Sequence, residues 1–239
     1  MTLFMARKSV FIVLVIALVL LLLYAVSRID DRCAIFSGDA WDAGSETVML
    51  IDDDGRPEGM RRLMRVCDRV GAKCYFAVIA DRRYNYAFYD SCRRAGYRIV
   101  SHSLHHQRYS DPYSSDYDEM KFSGDIDSAK LLLSAIGADS SMFVAPFDCG
   151  KTRDSRRIIT DRYPLCVAGD FLPIDYYMAP RRCRIPRYWL AKSKGVDDFC
   201  RHVDKCRRYN RPIILGVHSY DDCEWDSLYM EKCLKYLMK

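Results

Sequence analysis

Residues 95–106 read AGYRIVSHSLHH. Gly96 ends a helical pattern, residues 97–101 form a short β-prone run, and that run leads straight into histidines at 102, 105 and 106. The whole chain has five histidines, so most of its imidazole lies at the end of one expected strand. The same pattern recurs. The apolar run 47–51 (TVMLI) stops at Asp52, Asp53 and Asp54 before Gly55. Residues 142–146 (MFVAP) lead to Phe147 and Asp148, and residues 213–217 (IILGV) lead to His218 and Ser219. When several strands end in polar side chains, a β/α array would bring those ends onto one face.

The segments between these runs have helical spacing. Pro57 opens a pattern through Met60, Leu63, Met64 and Cys67 that Gly71 stops. Further helices are expected over 84–94, 116–134, 154–161, 196–208 and 225–238. Further strands are expected over 72–80 and 164–169, and residues 170–187 read as irregular. Strands alternating with helices at this spacing imply parallel βαβ units and a (β/α) barrel.

The 239 residues carry a net charge of +5 without a long Lys/Arg run, so a nucleic-acid partner is not expected. Residues 10–26 (VFIVLVIALVLLLLYAV) contain no charge and follow Arg7 and Lys8. They read as a single-pass signal anchor, with a cytoplasmic N-terminus over 1–9 and the body on the extracytoplasmic side. A cleaved signal peptide, with a secreted body, is the rival reading, because Ala25-Val26-Ser27 has the small-x-small form. Residues 27–45 read as a polar linker and 46–239 as one catalytic domain. The eleven cysteines form no C-x-x-C pair. Some are expected to pair in an exported domain, while those in apolar runs, such as Cys74 and Cys166, also fit as small buried hydrophobes. Nothing in the sequence indicates an oligomeric state.

His102 and His106 are four residues apart and can reach one metal ion. With one carboxylate from 52–54 they would form a hydrolytic site with open positions, and a second carboxylate could take a proton from water. Taken alone, the histidines fit equally well as a hydrogen-bonded cluster, and the aspartates as a solvated, capping or Ca²⁺-binding turn.

The ordered motifs resemble the polysaccharide deacetylases with the NodB homology domain, carbohydrate esterase family 4. LIDDDG (50–55) is similar to the family's T-F-D-D-G motif and AGYRIVSHSLHH to G-H-E-I-x-S-H-[ST]-x-x-H. MFVAPFDCG (142–150) is similar to F-A-Y-P-Y-G, and LGVH (215–218) to L-x-x-H. The resemblance implies a distorted (β/α) barrel of the NodB type after the N-terminal transmembrane helix. It further implies one divalent metal, zinc first and Co²⁺, Fe²⁺, Ni²⁺ or Mn²⁺ as alternatives, held by Asp54, His102 and His106. Asp53 would be the general base and His218 the general acid. Leu215 would line the acetyl pocket, and the Phe147 N–H would help stabilise the oxyanion. The substrate would be an N-acetylated glycan of a cell envelope or surface. His105 occupies a variable motif position and reads as a bystander, and His202 as a surface residue of the 196–208 helix.

Two positions depart from the family pattern. Asp52 replaces an aromatic residue and could compete for metal or perturb Asp53. Val144 stands where an arginine often orients the base. RIPR (184–187) is similar to a later L-P-R segment, so Arg187 is expected to supply that cation, though a surface arginine in a basic loop fits the sequence equally well. Asp170-Phe171 only faintly resembles the family's Asp-Trp motif. A non-catalytic glycan-binding relative and a metal-dependent amidase acting on a non-sugar substrate are the competing functions.

Overall fold

A computed structural model of the chain describes residues 32–36, 48–148, 152–169, 184–208 and 213–239, together with residue 19. Its strands are β1 (Arg32–Phe36), β2 (Val48–Asp52), β3 (Tyr75–Val78), β4 (Arg98–Ser101), β5 (Met142–Val144), β6 (Leu165–Gly169), β7 (Arg184–Trp189) and β8 (Ile213–Val217). They close into a barrel in the order β1-β6-β5-β4-β3-β2-β8-β7. The pairings from β6 through β5, β4, β3, β2 and β8 to β7 are parallel. Strand β1 runs antiparallel between β6 and β7 and completes the ring.

The period-two pleat divides the apolar residues into layers. Met49, Ile51, Ala77, Val100, Met142, Val144, Val167 and Ile214 form one buried cluster made from strands alone, which is the barrel interior. Their neighbours Leu50, Phe76, Val78, Ile99, Leu215 and Val217 face outward and pack against helices. The helices are α1 (Pro57–Val70), α2 (Tyr86–Arg94), α3 (Glu119–Ser134), α4 (Arg153–Thr160), α5 (Val196–Arg208) and α6 (Ser227–Leu237). They follow the expected pattern closely, and side-chain caps set the starts of α3, α4 and α6. Asp118 accepts from the Lys121 N–H and Asp226 from the Tyr229 N–H, so these acids precede their helices instead of joining them.

Two expectations give way. Within the 27–45 linker, residues 32–36 form β1. Within the irregular 170–187 stretch, residues from Arg184 onward form β7. Pro186 and the arginines concealed β7, since proline is read as a strand breaker and arginine as a solvent residue. The anchor at 10–26 and the Asp170-Phe171 pair lie outside the described residues. Among the described residues, no helix is long and apolar enough to cross a membrane. The eight cysteines whose side chains are described form no disulfide with one another. Most are packed as hydrophobes in the apolar layers, and burial pushes Cys92 up to about 11 and Cys233 up to about 12.

Candidate metal and catalytic centre

The C-terminal ends of β2, β4, β7 and β8 meet the turn after β5 at one mouth of the barrel. At β2 the chain turns sharply, with left-handed backbone at Asp54 (φ 71°) and Gly55 (φ 56°). A Cβ on Gly55 would lie 2.6 Å from Val78 Cγ1, so only glycine fits there. The turn is tied down by three donors. The Asp53 N–H donates to Val217 O (3.0 Å), Arg82 Nη1 to Asp54 O (2.7 Å) and the Tyr89 hydroxyl to Gly55 O (2.8 Å).

The histidine loop is held as firmly. The His102 N–H continues the β3–β4 pairing to Val78 O (2.9 Å). Ser103 and His106 both adopt positive φ, and the Ser103 hydroxyl accepts the His106 N–H (2.9 Å). Asp125, buried on α3, accepts the backbone N–H groups of Leu104 (2.8 Å) and His105 (3.2 Å) and meets His105 Nδ1 at 2.8 Å. His105 therefore clips the loop to α3 and stands outside the Asp54, His102 and His106 group. His202 is half-buried, with its ring 4.6 Å from that of Tyr188, and is not simply a surface residue.

Asp54 Oδ1 lies 3.5 Å from His102 Nε2 and 3.0 Å from His106 Nε2, and the ligand atoms of the three residues lie within 4.8 Å of one another. His102 Nδ1 lies 2.8 Å from Val144 O. A carbonyl only accepts, so Nδ1 carries the proton, and in the neutral ring Nε2 presents its lone pair to the site. Asp54 Oδ1 is buried with no hydrogen-bond donor. Three lone-pair atoms aimed at one point fit a divalent cation, with the Val144 carbonyl as the outer support of one ligand. The electrostatics agree. Burial pushes the Asp54 carboxyl up, but His102, His106 and Tyr220 outweigh it and hold the group well below the usual carboxylate range. Burial pushes His102 down, yet Asp54 and Asp53 outweigh it and raise the imidazole. The Tyr220 hydroxyl occupies the other Asp54 oxygen at 2.5 Å.

Asp52 does not compete for this point. The pleat turns it to the helix side, where it accepts from the Ser219 N–H (2.9 Å) and hydroxyl (2.5 Å). Burial pushes its carboxyl up to about 8.

Arg187 Nη2 lies 2.6 Å from Asp53 Oδ1. Arg187 is 1% exposed and Asp53 5%, which rules out a surface arginine. Nothing among the described residues hydrogen-bonds to Asp53 Oδ2. Beside this pair, a Cβ on Gly216 would lie 2.4 Å from Arg187 Nε and 2.6 Å from the Trp189 ring, so glycine makes room for both side chains. Trp189 packs edge-on against His218 (centroids 4.6 Å apart) and donates Nε1–H to Glu224 Oε2 (2.8 Å), which lies 3.5 Å from His218 Nδ1. Phe147 has φ 55° and sets its ring 4.5 Å from that of His106.

Asp53, Asp54, His102, His106, Phe147 and His218 all border one cleft of about 470 Å³, and Arg187 lies beneath it on Asp53. Leu215 is the exception. It points outward into the layer between barrel and helices, because the pleat gives the inward position to Gly216. The apolar wall beside His218 is Trp189, which the sequence reading missed, as it missed Tyr220, Glu224 and Asp125. Trp189 shares the strand phase of Arg187 and Asp125 interrupts the apolar face of α3, so those two carried a signal. Tyr220 and Glu224 carried none.

The fold is similar to that of solved family 4 carbohydrate esterases. No family model matches the sequence, and no curated protein matches it. Solved structures do. A family 4 carbohydrate esterase from Streptomyces lividans superposes with a TM-score of 0.54 at 14% identity, covering 81% of this chain and 88% of that one. The catalytic domain of a peptidoglycan N-acetylglucosamine deacetylase from Eubacterium rectale gives 0.51 at 16%, covering 84% and 87%. A family 4 pseudoenzyme from Bacillus anthracis gives 0.52 at 12%, covering 82% and 62%. The likeness is one of fold, and that fold carries both active and inactive proteins.

Proposed function

We propose that the chain is a metal-dependent polysaccharide N-deacetylase, a hydrolase that removes acetyl groups from N-acetylated sugars. The observation that carries this reading is the adjacency of two carboxylates with different partners. Asp54 converges with His102 and His106, while Asp53 pairs with buried Arg187.

A divalent ion, zinc first among the candidates, would be held by Asp54, His102 and His106 and would supply a Lewis-acid centre that lowers the pKa of its water. Asp53 has one oxygen fixed by Arg187 and accepts the water's proton at the other. The Phe147 N–H donates to the amide oxygen as negative charge gathers there. Trp189 offers the acetyl methyl an apolar wall. His218, steadied by Trp189 and Glu224, delivers a proton to the departing nitrogen. Water oxygen joins the carbonyl carbon, the C–N bond breaks, and acetate and a free amine result. The anchor-like segment 10–26 supports an extracytoplasmic place for this chemistry, tethered to the membrane or secreted after cleavage.

Acetate release from N-acetylglucosamine oligomers, with and without chelator, tests the reading. Release that chelation abolishes and zinc restores is expected. Tight oligomer binding without release, from a metal-loaded protein, would instead mark a glycan-binding relative. Release from non-sugar amides only would mark an amidase.

A further inference from the structure

Three arginines ring the mouth of the cleft, and no step of the proposed chemistry uses them. Arg56, the residue before α1, lays its guanidinium over the Tyr220 ring at 4.1 Å. Arg108 lays its own over the Phe147 ring at 3.9 Å. Arg82 reaches from the other side and binds the Asp54 carbonyl. All three line the cleft together with Asp53, Asp54 and Glu224.

These acids do not pair with them. Asp53 pairs with Arg187, Asp54 faces the histidines and Tyr220, and Glu224 keeps its charge while accepting from the Trp189 N–H. Among the described residues, neither Arg56 nor Arg82 pairs with a carboxylate, and Arg108 meets only Asp111, at 3.1 Å. The guanidinium of Arg56, stacked on its ring, keeps its N–H edge uncommitted, while Arg108 and Arg82 each commit one Nη, to Asp111 and to the Asp54 carbonyl. A guanidinium edge matches the two oxygens of a carboxylate. Stacking has already removed part of the stacked arginines' side-chain freedom, so binding loses less entropy.

We propose that this cleft selects glycans in which a sugar next to the N-acetylated one carries a carboxylate, read by Arg56, Arg82 and Arg108. The inference rests on the deacetylase reading for the reaction, but it makes its own claim about binding.

The test uses the zinc-loaded full chain in detergent and three oligomers of equal length. One is N-acetylglucosamine alone, one alternates N-acetylglucosamine with a uronic acid, and one carries phosphate in place of the carboxylate. Calorimetric affinity and kcat/KM for acetate release are both measured. The carboxylated oligomer is expected to bind best and to lose its advantage as salt is raised. Arg56→Gln and Arg108→Gln should each reduce the carboxylated-to-neutral affinity ratio by about fivefold, and Arg56→Lys should restore part of it. Equal affinities for neutral and carboxylated oligomers, or an unchanged ratio in both variants, would overturn the proposal. Stronger binding of the phosphate oligomer would overturn the carboxylate assignment. A preserved binding preference with no acetate released from any oligomer would support this inference while removing the deacetylase reading.

Discussion

Arg187 Nη2 and Asp53 Oδ1 lie 2.6 Å apart, and both side chains are buried. Removing one member of such a pair strands the other charge, at a cost of about 3–5 kcal/mol. Arg187→Met is therefore expected to lower the melting temperature sharply and to abolish acetate release. Asp53→Asn should cost about a hundredfold or more in kcat while leaving zinc affinity near that of the parent. The double variant should regain much of the stability lost by Arg187→Met. Additive losses in a thermal-melt double-mutant cycle would show that the two side chains are not coupled.

The convergence of Asp54, His102 and His106 makes metal binding part of stability. With free zinc at about a hundred times its dissociation constant, the gain is about 2.7 kcal/mol. Differential scanning calorimetry should show a zinc-dependent rise in melting temperature that Asp54→Ala and His106→Ala remove. His102 is raised above the ordinary imidazole value in the metal-free protein, and a proton there competes with the ion. Zinc affinity is expected to fall as the pH drops below neutral, and an affinity independent of pH would contradict this ligand set.

Gly216 leaves room for both Arg187 and Trp189. Gly216→Ala should displace one of them, costing about 1–3 kcal/mol of stability and most of the activity. A crystal structure of the variant with both side chains unmoved would contradict the tight fit.

Asp52 yields a pH prediction of definite sign. Its carboxyl rises from 3.8 to about 8, chiefly through burial. The folded chain thus keeps a proton that the unfolded chain loses above pH 3.8. Its contribution to stability is full below that value and declines as pH rises toward 8, by at most about 1.4 kcal/mol per pH unit. Asp52→Asn removes this decline and can still accept the Ser219 N–H. The variant's melting temperature relative to the parent should therefore rise between mildly acidic and mildly basic pH. A difference that stays flat across that range would mean Asp52 does not hold its proton.

The parallel strands and their polar ends were legible because apolar runs buried on both faces stand out from amphipathic helices. Asp53, Asp54, His102, His106 and His218 sit directly on those ends. Leu215 was misplaced because a motif gives an order of residues without their pleat phase, and one step along the strand exchanges the inside of the barrel for the outside. Strand β7 was hidden because its inward residue is a charge, Arg187, that becomes plausible inside only once Asp53 is known to meet it. Asp125 is an acid in a helix and draws no notice by type, although its place among Phe122, Ile126 and Ala129 marks it as buried.

Four non-glycine residues in the described chain have left-handed backbone, namely Asp54, Ser103, His106 and Phe147, and each belongs to this mouth. Each such residue carries a local penalty of about 1–2 kcal/mol. Transplanting the same side chains onto regular strand ends of another barrel would aim them elsewhere. Anyone grafting this centre must carry over the crooked loops and their fastenings, Arg82, Tyr89 and Asp125. At these four sites the tolerated replacements should be glycine and asparagine, with valine and isoleucine rejected for shape before chemistry is considered.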